Sequence, residues 1–264
     1  MELRTHANRR TVAALPFCYL CGRSFGPAEP RTRDHVPPKA IFLARDRDGP
    51  LILPVHSGCN QRESVNDEII GQLIGILHGR LLKDDQRRFE VEVIHTAPGT
   101  SALLGLKGVP MQQAIGRWIR AFHSALYHEY LPRETPNAIH PPFPSGQQKD
   151  GTWIRDDLRI QHPLIVEVIK RNRIADRLDR IECYNGKCVY ECVWERMDNQ
   201  TWGCFFALKI YDWKALADST NFPSRGCVGW YQARTGRPHL AAVGIVKVIS
   251  FPLENRDPLD PFGP

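Results

Sequence analysis

Apolar residues recur along this chain at two periods, and the change of period organises it. From Asn60 to about Leu82, Ile69, Ile70, Leu73, Ile74, Leu77 and Leu81 fall three and four residues apart, which predicts a helix with one apolar stripe. Gly71, Gly75 and Gly79 each weaken it. Between Met111 and Tyr130, Ile115, Trp118, Ile119, Phe122 and Leu126 predict a second helix that Pro132 stops. A third is predicted over residues 163–178, with Pro163 in its first turn and Leu164, Ile165, Val168, Ile169 and Ile174 facing inwards. Period two appears where Phe89, Val91 and Val93 alternate with Glu90 and Glu92, as in a half-buried strand. Residues 97–110 read as a loop, and so does the proline-rich stretch from Pro132 to Asp150. Further on, Asn185-Gly186 between two alternating runs predicts a two-residue hairpin that sets Cys183 opposite Cys188. Runs at 201–213, 230–234 and 239–251 bring the expected sheet to four or five antiparallel strands. The fold class expected is α+β: a small module over residues 1–82, then helices and an antiparallel sheet over residues 83–264.

Composition narrows the class. A chain of 264 residues with 42% hydrophobic and 24% charged side chains can bury a real core, which excludes disorder and fibrous repeats. There is no run of about 18 apolar residues to span a bilayer, and the polar start MELRTHANRR lacks the apolar stretch of a secretion signal. The expectation is a soluble, cytoplasmic protein in a reducing compartment, with no membrane partner. The formal charge of +6 permits a polyanionic partner. Its distribution says more: residues 1–50 hold nine Lys/Arg and five Asp/Glu, so +4 lies in the first fifth of the chain.

That same fifth begins the cysteine pattern. Cys18 and Cys21 have the two-residue gap that lets two thiolates bind one tetrahedral ion, and His56 and Cys59 repeat the gap. Together they predict a Cys₃His structural Zn²⁺ site. The loop between the halves is too long for a simple finger and must hold structure of its own. It carries Asp34-His35 in a strand-like segment, followed by Pro37-Pro38.

The order CxxC, DHVPPKAIF, the short strand LILPV, then HxxCN and SVNDE resembles the HNH (ββα-metal) endonucleases, closest to a bacterial and phage branch with DH-V-PPK and C-N…DE segments. The resemblance covers roughly residues 15–75. It implies a metal-dependent hydrolase that cleaves DNA phosphodiester bonds, with double-stranded DNA as the expected partner. His35 would be the general base that activates water, and an imidazole with a pKa near 6.5 suits that task. Asp34 and Asn60 would hold one catalytic divalent cation, Mg²⁺ or Mn²⁺. The product would carry a 5′-phosphate and a 3′-hydroxyl. The middle Asn of the motif has no counterpart, and Asp48 stands near its place. Phage defence, restriction, packaging and mobile-element transfer all use this module.

Arg31, Arg33, Lys39 and Arg62 crowd the module and could track phosphates. Asp67 and Glu68 read as solvated or ion-paired acids on a helix. Cys183, Cys188 and Cys192 read as core thiols, as do the strand aromatics as core rings, while His123 and His128 pack or hydrogen-bond. The region after residue 83 would supply substrate selection, homodimer formation or sensing. Two other readings compete: a zinc-stabilised nucleic-acid-binding protein without cleavage activity, and an interaction or assembly protein, which leaves the basic N-terminus unexplained.

Overall fold

The computed structural model describes residues 2–3, 12–27, 29–77, 87–95, 102–140, 146–149, 152–155, 161–196, 202–211 and 227–233. In chain order its elements are β1 (Glu2–Leu3), β2 (Arg31–Val36), β3 (Leu51–His56), α1 (Ser57–Leu77), β4 (Glu90–His95), β5 (Ala102–Lys107), α2 (Met111–Tyr127), β6 (Asn137–His140), β7 (Gly146–Lys149), β8 (Thr152–Arg155), α3 (Gln161–Ile174), β9 (Asp179–Cys183), β10 (Cys188–Arg196), β11 (Trp202–Ile210) and β12 (Cys227–Ala233). Two short 3₁₀ turns, Lys39–Ile41 and Ala44–Asp46, lie between β2 and β3.

Strands 9 to 12 form a meander, and the ends of the sheet come from distant segments, in the order β1-β9-β10-β11-β12-β6. All pairs are antiparallel except β1 with β9. The Asn185-Gly186 hairpin forms as expected, with Cys188 opposite Cys183 and Lys187 N–H donating to the Tyr184 carbonyl at 3.0 Å. Asn185 and Gly186 have φ of 51° and 78°, the left-handed pair of a type I′ turn.

Both sheet faces are covered. Ile165, Val166, Val168 and Ile169 of α3 pack on Val193, Ala207 and Val228. Alternate positions, Tyr190, Cys192, Trp194, Cys204, Phe206 and Tyr231, face the other way into a core that also takes in α2, α1 and the β2–β3 hairpin. This core draws on residues on both sides of the expected boundary at residue 82, which itself lies outside the described residues. Cys183, Cys188, Cys192, Cys204 and Cys227 are buried free thiols; Trp194, Phe206 and Tyr211 are buried rings, Trp202 and Phe205 are partly buried against the core, and Trp213 lies outside the described residues.

Four expectations change. Residues 97–110 are not all loop, because Leu104 and Leu106 pair across to Val93 and Val91 and make β5. The stretch 132–150 is not simply a linker. Its residues 137–140 lie between two prolines and donate an edge strand to β12, a pairing only the tertiary fold supplies. Helix α1 starts at Ser57, before the predicted Asn60, and α2 ends at Tyr127, where His128 takes a left-handed φ of 55° and its N–H caps Ser124 O at 2.9 Å. Ile174 ends α3 and is 88% exposed. The predicted run 239–251 lies outside the described residues.

Gly71 has a packing reason that offsets its low helix propensity. A Cβ there would sit 2.9 Å from Ala40 Cβ and 3.3 Å from the Ala40 backbone, where α1 crosses the first 3₁₀ turn. Gly71→Ala should therefore destabilise by about 1–2 kcal/mol in urea unfolding despite the better helix former, because overpacking outweighs propensity. A stability gain would show that the two segments separate freely.

Candidate functional site

The residues of the predicted zinc set converge from three elements. Cys18 and Cys21 sit on a tight turn closed by Gly22 N–H to Cys18 O at 2.8 Å and Cys18 N–H to Arg23 O at 2.9 Å. Gly22 has a φ of 76°, and a Cβ on it would strike the Tyr130 ring, so glycine is required after the second cysteine. His56 ends β3, and Cys59 lies in the first turn of α1, so the junction of strand and helix carries the second pair. The four donor atoms all lie within 4.8 Å of one another. A tetrahedral Zn²⁺ with thiolates at about 2.3 Å fits that spacing.

The histidine is oriented for the same purpose. Its Nδ1 lies 3.3 Å from Cys21 Sγ, while Nε2 faces the Ser24 carbonyl at 3.3 Å and the Glu29 carboxylate at 3.4 Å. Those acceptors favour the tautomer with its proton on Nε2 and its lone pair turned to the thiols, the usual support of a metal-bound imidazole. Burial pushes the Cys21 thiol up, but hydrogen bonds from Arg23, His56 and Cys18 outweigh it and bring it to about 7. Burial pushes the Cys18 thiol up to about 11. Among the described residues this is the one His/Cys/Asp/Glu group placed to hold a metal such as zinc.

The β2–β3 hairpin, followed at once by α1, brings the other predicted residues into place. Cross-strand pairing puts Asp34 opposite Leu53 and His35 opposite Ile52, so the adjacent pair faces opposite sides of the ribbon. Asp34 points into the core and is buried. Its Oδ2 accepts hydrogen bonds from Tyr19 Oη and, at 2.6 Å, from Arg117 Nη2. Arg117 reaches on to Asp67 Oδ1 of α1 at 2.6 Å, and its Nε to Tyr19 Oη at 3.1 Å. Asp67 is thus an ion-pair partner. Burial raises its carboxyl to about 6 against the opposing pull of Arg117. Asp34 Oδ1 has no hydrogen bond from the described residues.

His35 is half-buried on the other side of the ribbon, preceded along the same strand face by exposed Arg31 and Arg33. Burial lowers its pKa below the usual histidine value, helped by Lys39 and Arg33 and resisted by Asp34. Asn60 is half-buried in the first turn of α1. Lys39 and Arg62 are exposed, Arg62 donating to Cys59 Sγ at 3.2 Å, and Arg31 lies over the Phe25 ring at 5.7 Å. Asp48 is exposed in the turn before β3 and makes no hydrogen bond to His35.

Arg117 and Tyr19 were not singled out by sequence reasoning. One signal was available: Ala114, Ala121 and Ala125 flank Arg117 at helical spacing, leaving room for a long side chain inside an otherwise apolar helix.

Comparison with family models, with curated proteins and with solved structures found no match to this chain.

Two outcomes are expected. The purified protein should carry about one zinc per chain, measured by elemental analysis, and Cys59→Ser should lose it and lower the melting temperature. A stably folded wild type without metal would refute the cluster as a zinc site. Arg117→Met should cost about 3–5 kcal/mol in urea unfolding, because it strands Asp34 and Asp67 in the interior; a change below about 1 kcal/mol would mean the network is not a structural element.

Proposed function

We propose that the chain is a metal-dependent endonuclease of the HNH type, a hydrolase of DNA phosphodiester bonds. The observation that carries the reading is the placement of His35. A half-buried imidazole with a lowered pKa follows two exposed arginines, Arg31 and Arg33, on the same face of its strand, in a hairpin joined to its helix at the Cys₃His cluster. Such an imidazole is neutral at pH 7 and can accept a proton from water. Arg31, Arg33, Lys39 and Arg62 offer exposed cations for strand phosphates.

A catalytic cation would draw on Asp34, which faces the core, and on Asn60 in the first turn of α1. Arg117 and Tyr19 hold Oδ2 of Asp34 and so orient the group, leaving Oδ1 for a ligand. Asp34 Oδ1 and the Asn60 amide oxygen would hold Mg²⁺ or Mn²⁺, which when bound would stabilise charge on the leaving 3′ oxygen. His35 takes the proton of the attacking water, and the arginines fix the strand's register.

One observation favours a second reading, a zinc-stabilised nucleic-acid-binding protein that does not cleave. Arg117 already neutralises Asp34, which lessens the attraction of that carboxylate for a divalent ion.

Incubation with plasmid and Mg²⁺ or Mn²⁺ separates the two. Wild type should cleave, and His35→Ala should lose about 10²–10⁴-fold in rate, the span of general-base catalysis. Equal rates in wild type and variant would sink the mechanism, and binding without cleavage would select the second reading. The pH dependence follows from the lowered pKa: a base is active only when deprotonated, so the acid limb of the rate profile should fall below pH 6.5 and activity should persist through neutrality.

A further inference from the structure

A cavity of about 450 Å³ lies between α1, α2 and β6. Its volume is in the range of small-molecule sites, roughly 300–1,000 Å³. Arg120 of α2 lines it and contributes a guanidinium whose Nε is sealed from solvent with no hydrogen-bond partner among the described residues. Burial lowers the Arg120 pKa, so the fold keeps this charge at a cost. Arg133, exposed, brings a second guanidinium to the same wall. Opposite charge comes from Glu63 alone, leaving the lining one positive charge in excess. Side-chain amides of Asn66, Gln112 and Gln113 add paired donor and acceptor edges. A narrow recess of about 30 Å³, room for one water molecule, lies past Arg120 against Ile119, Leu131, Phe206 and Tyr231.

A half-buried guanidinium with an unpaired Nε, a second and exposed cation, and the side-chain amides of Gln112 and Gln113 are the complement of one kind of ligand. We propose that this cavity binds a nucleotide, its phosphate on Arg120 and Arg133 and its base edge on the side-chain amides. The choice of a nucleotide over other anions rests on the nucleic-acid reading above. Glu63 follows Asn60 by three residues on α1 and so shares its helix face, which puts the cavity next along the path of a strand from the hairpin. Free mononucleotide and one nucleotide of a bound strand present the same chemistry.

The test uses the full chain carrying His35→Ala, without divalent cation, so that binding is read apart from cleavage. Titration calorimetry compares inorganic phosphate, the common deoxynucleoside 5′-monophosphates and a short single-stranded oligonucleotide. Mononucleotide or oligonucleotide should bind better than phosphate, and Arg120→Met and Arg133→Gln should each weaken that binding at least about tenfold. A mononucleotide bound as tightly as the oligonucleotide identifies a free nucleotide as the ligand; tighter oligonucleotide binding identifies a strand. Arg120→Met should leave the melting temperature unchanged or raised, since it removes a half-buried charge whose Nε has no hydrogen-bond partner among the described residues. The proposal is overturned if no nucleotide probe binds, if both variants bind as the parent does, or if Arg120→Met lowers the melting temperature while binding persists. A wild type that cleaves plasmid yet shows no such binding would keep the nuclease reading and end this one.

Discussion

A guanidinium with 1% of its side chain in solvent sits between two aspartates contributed by different elements, and much of the module is arranged around that constraint. Taking an isolated charge out of water costs several kcal/mol, and Arg117 is tolerable only because Asp34, Asp67 and Tyr19 all engage it. Each partner comes from a separate piece of chain: the cysteine turn, the first hairpin strand, α1 and α2. None of these can shift alone without leaving a buried group unpaired. The network therefore specifies how the hairpin, its helix and α2 meet, where apolar packing alone would tolerate sliding.

The zinc-type cluster acts at the other end of the same hairpin. It ties the N-terminal turn to the point where β3 becomes α1, and its histidine has both ring nitrogens committed by geometry. The ion network holds β2 through Asp34, and the cluster holds the end of β3 that pairs with Arg31, while Arg31, Arg33 and His35 face outward from β2. An imidazole acting as proposed would gain from that anchoring, because proton transfer depends on position before it depends on pKa.

How much of this was legible in the sequence depends on the range of the interaction. The helices, the Asn185-Gly186 hairpin and the matched two-residue gaps of Cys18, Cys21, His56 and Cys59 are local patterns, and each appears where periodicity or spacing puts it. β6 was not legible, since residues 137–140 lie in a proline-rich stretch and become a strand only because β12 offers a free edge. Arg117 was missed for a related reason. A charged residue is normally assigned to the solvent face, and its burial depends on two acids that lie 50 and 83 positions away in sequence. From its neighbours in the chain Asp34 reads as a ligand of a divalent cation; its Oδ2 partners could be learned only from the fold.

Tyr184 carries a consequence for how the molecule comes apart. Held at a left-handed φ of 54°, it donates its backbone N–H to Gly49 O at 3.0 Å and its hydroxyl to Pro37 O at 2.6 Å, and stacks on Phe42 at 3.8 Å. Tyr211, at the end of β11, accepts the Leu43 N–H at 2.6 Å on its hydroxyl. The loop between β2 and β3 is therefore solvated by the far sheet instead of by water. Cut away from residues 83–264, the basic module would expose Phe42 and lose partners for its own backbone, so loop and sheet melt as one cooperative unit, and the metal cluster by itself is not a minimal foldable fragment.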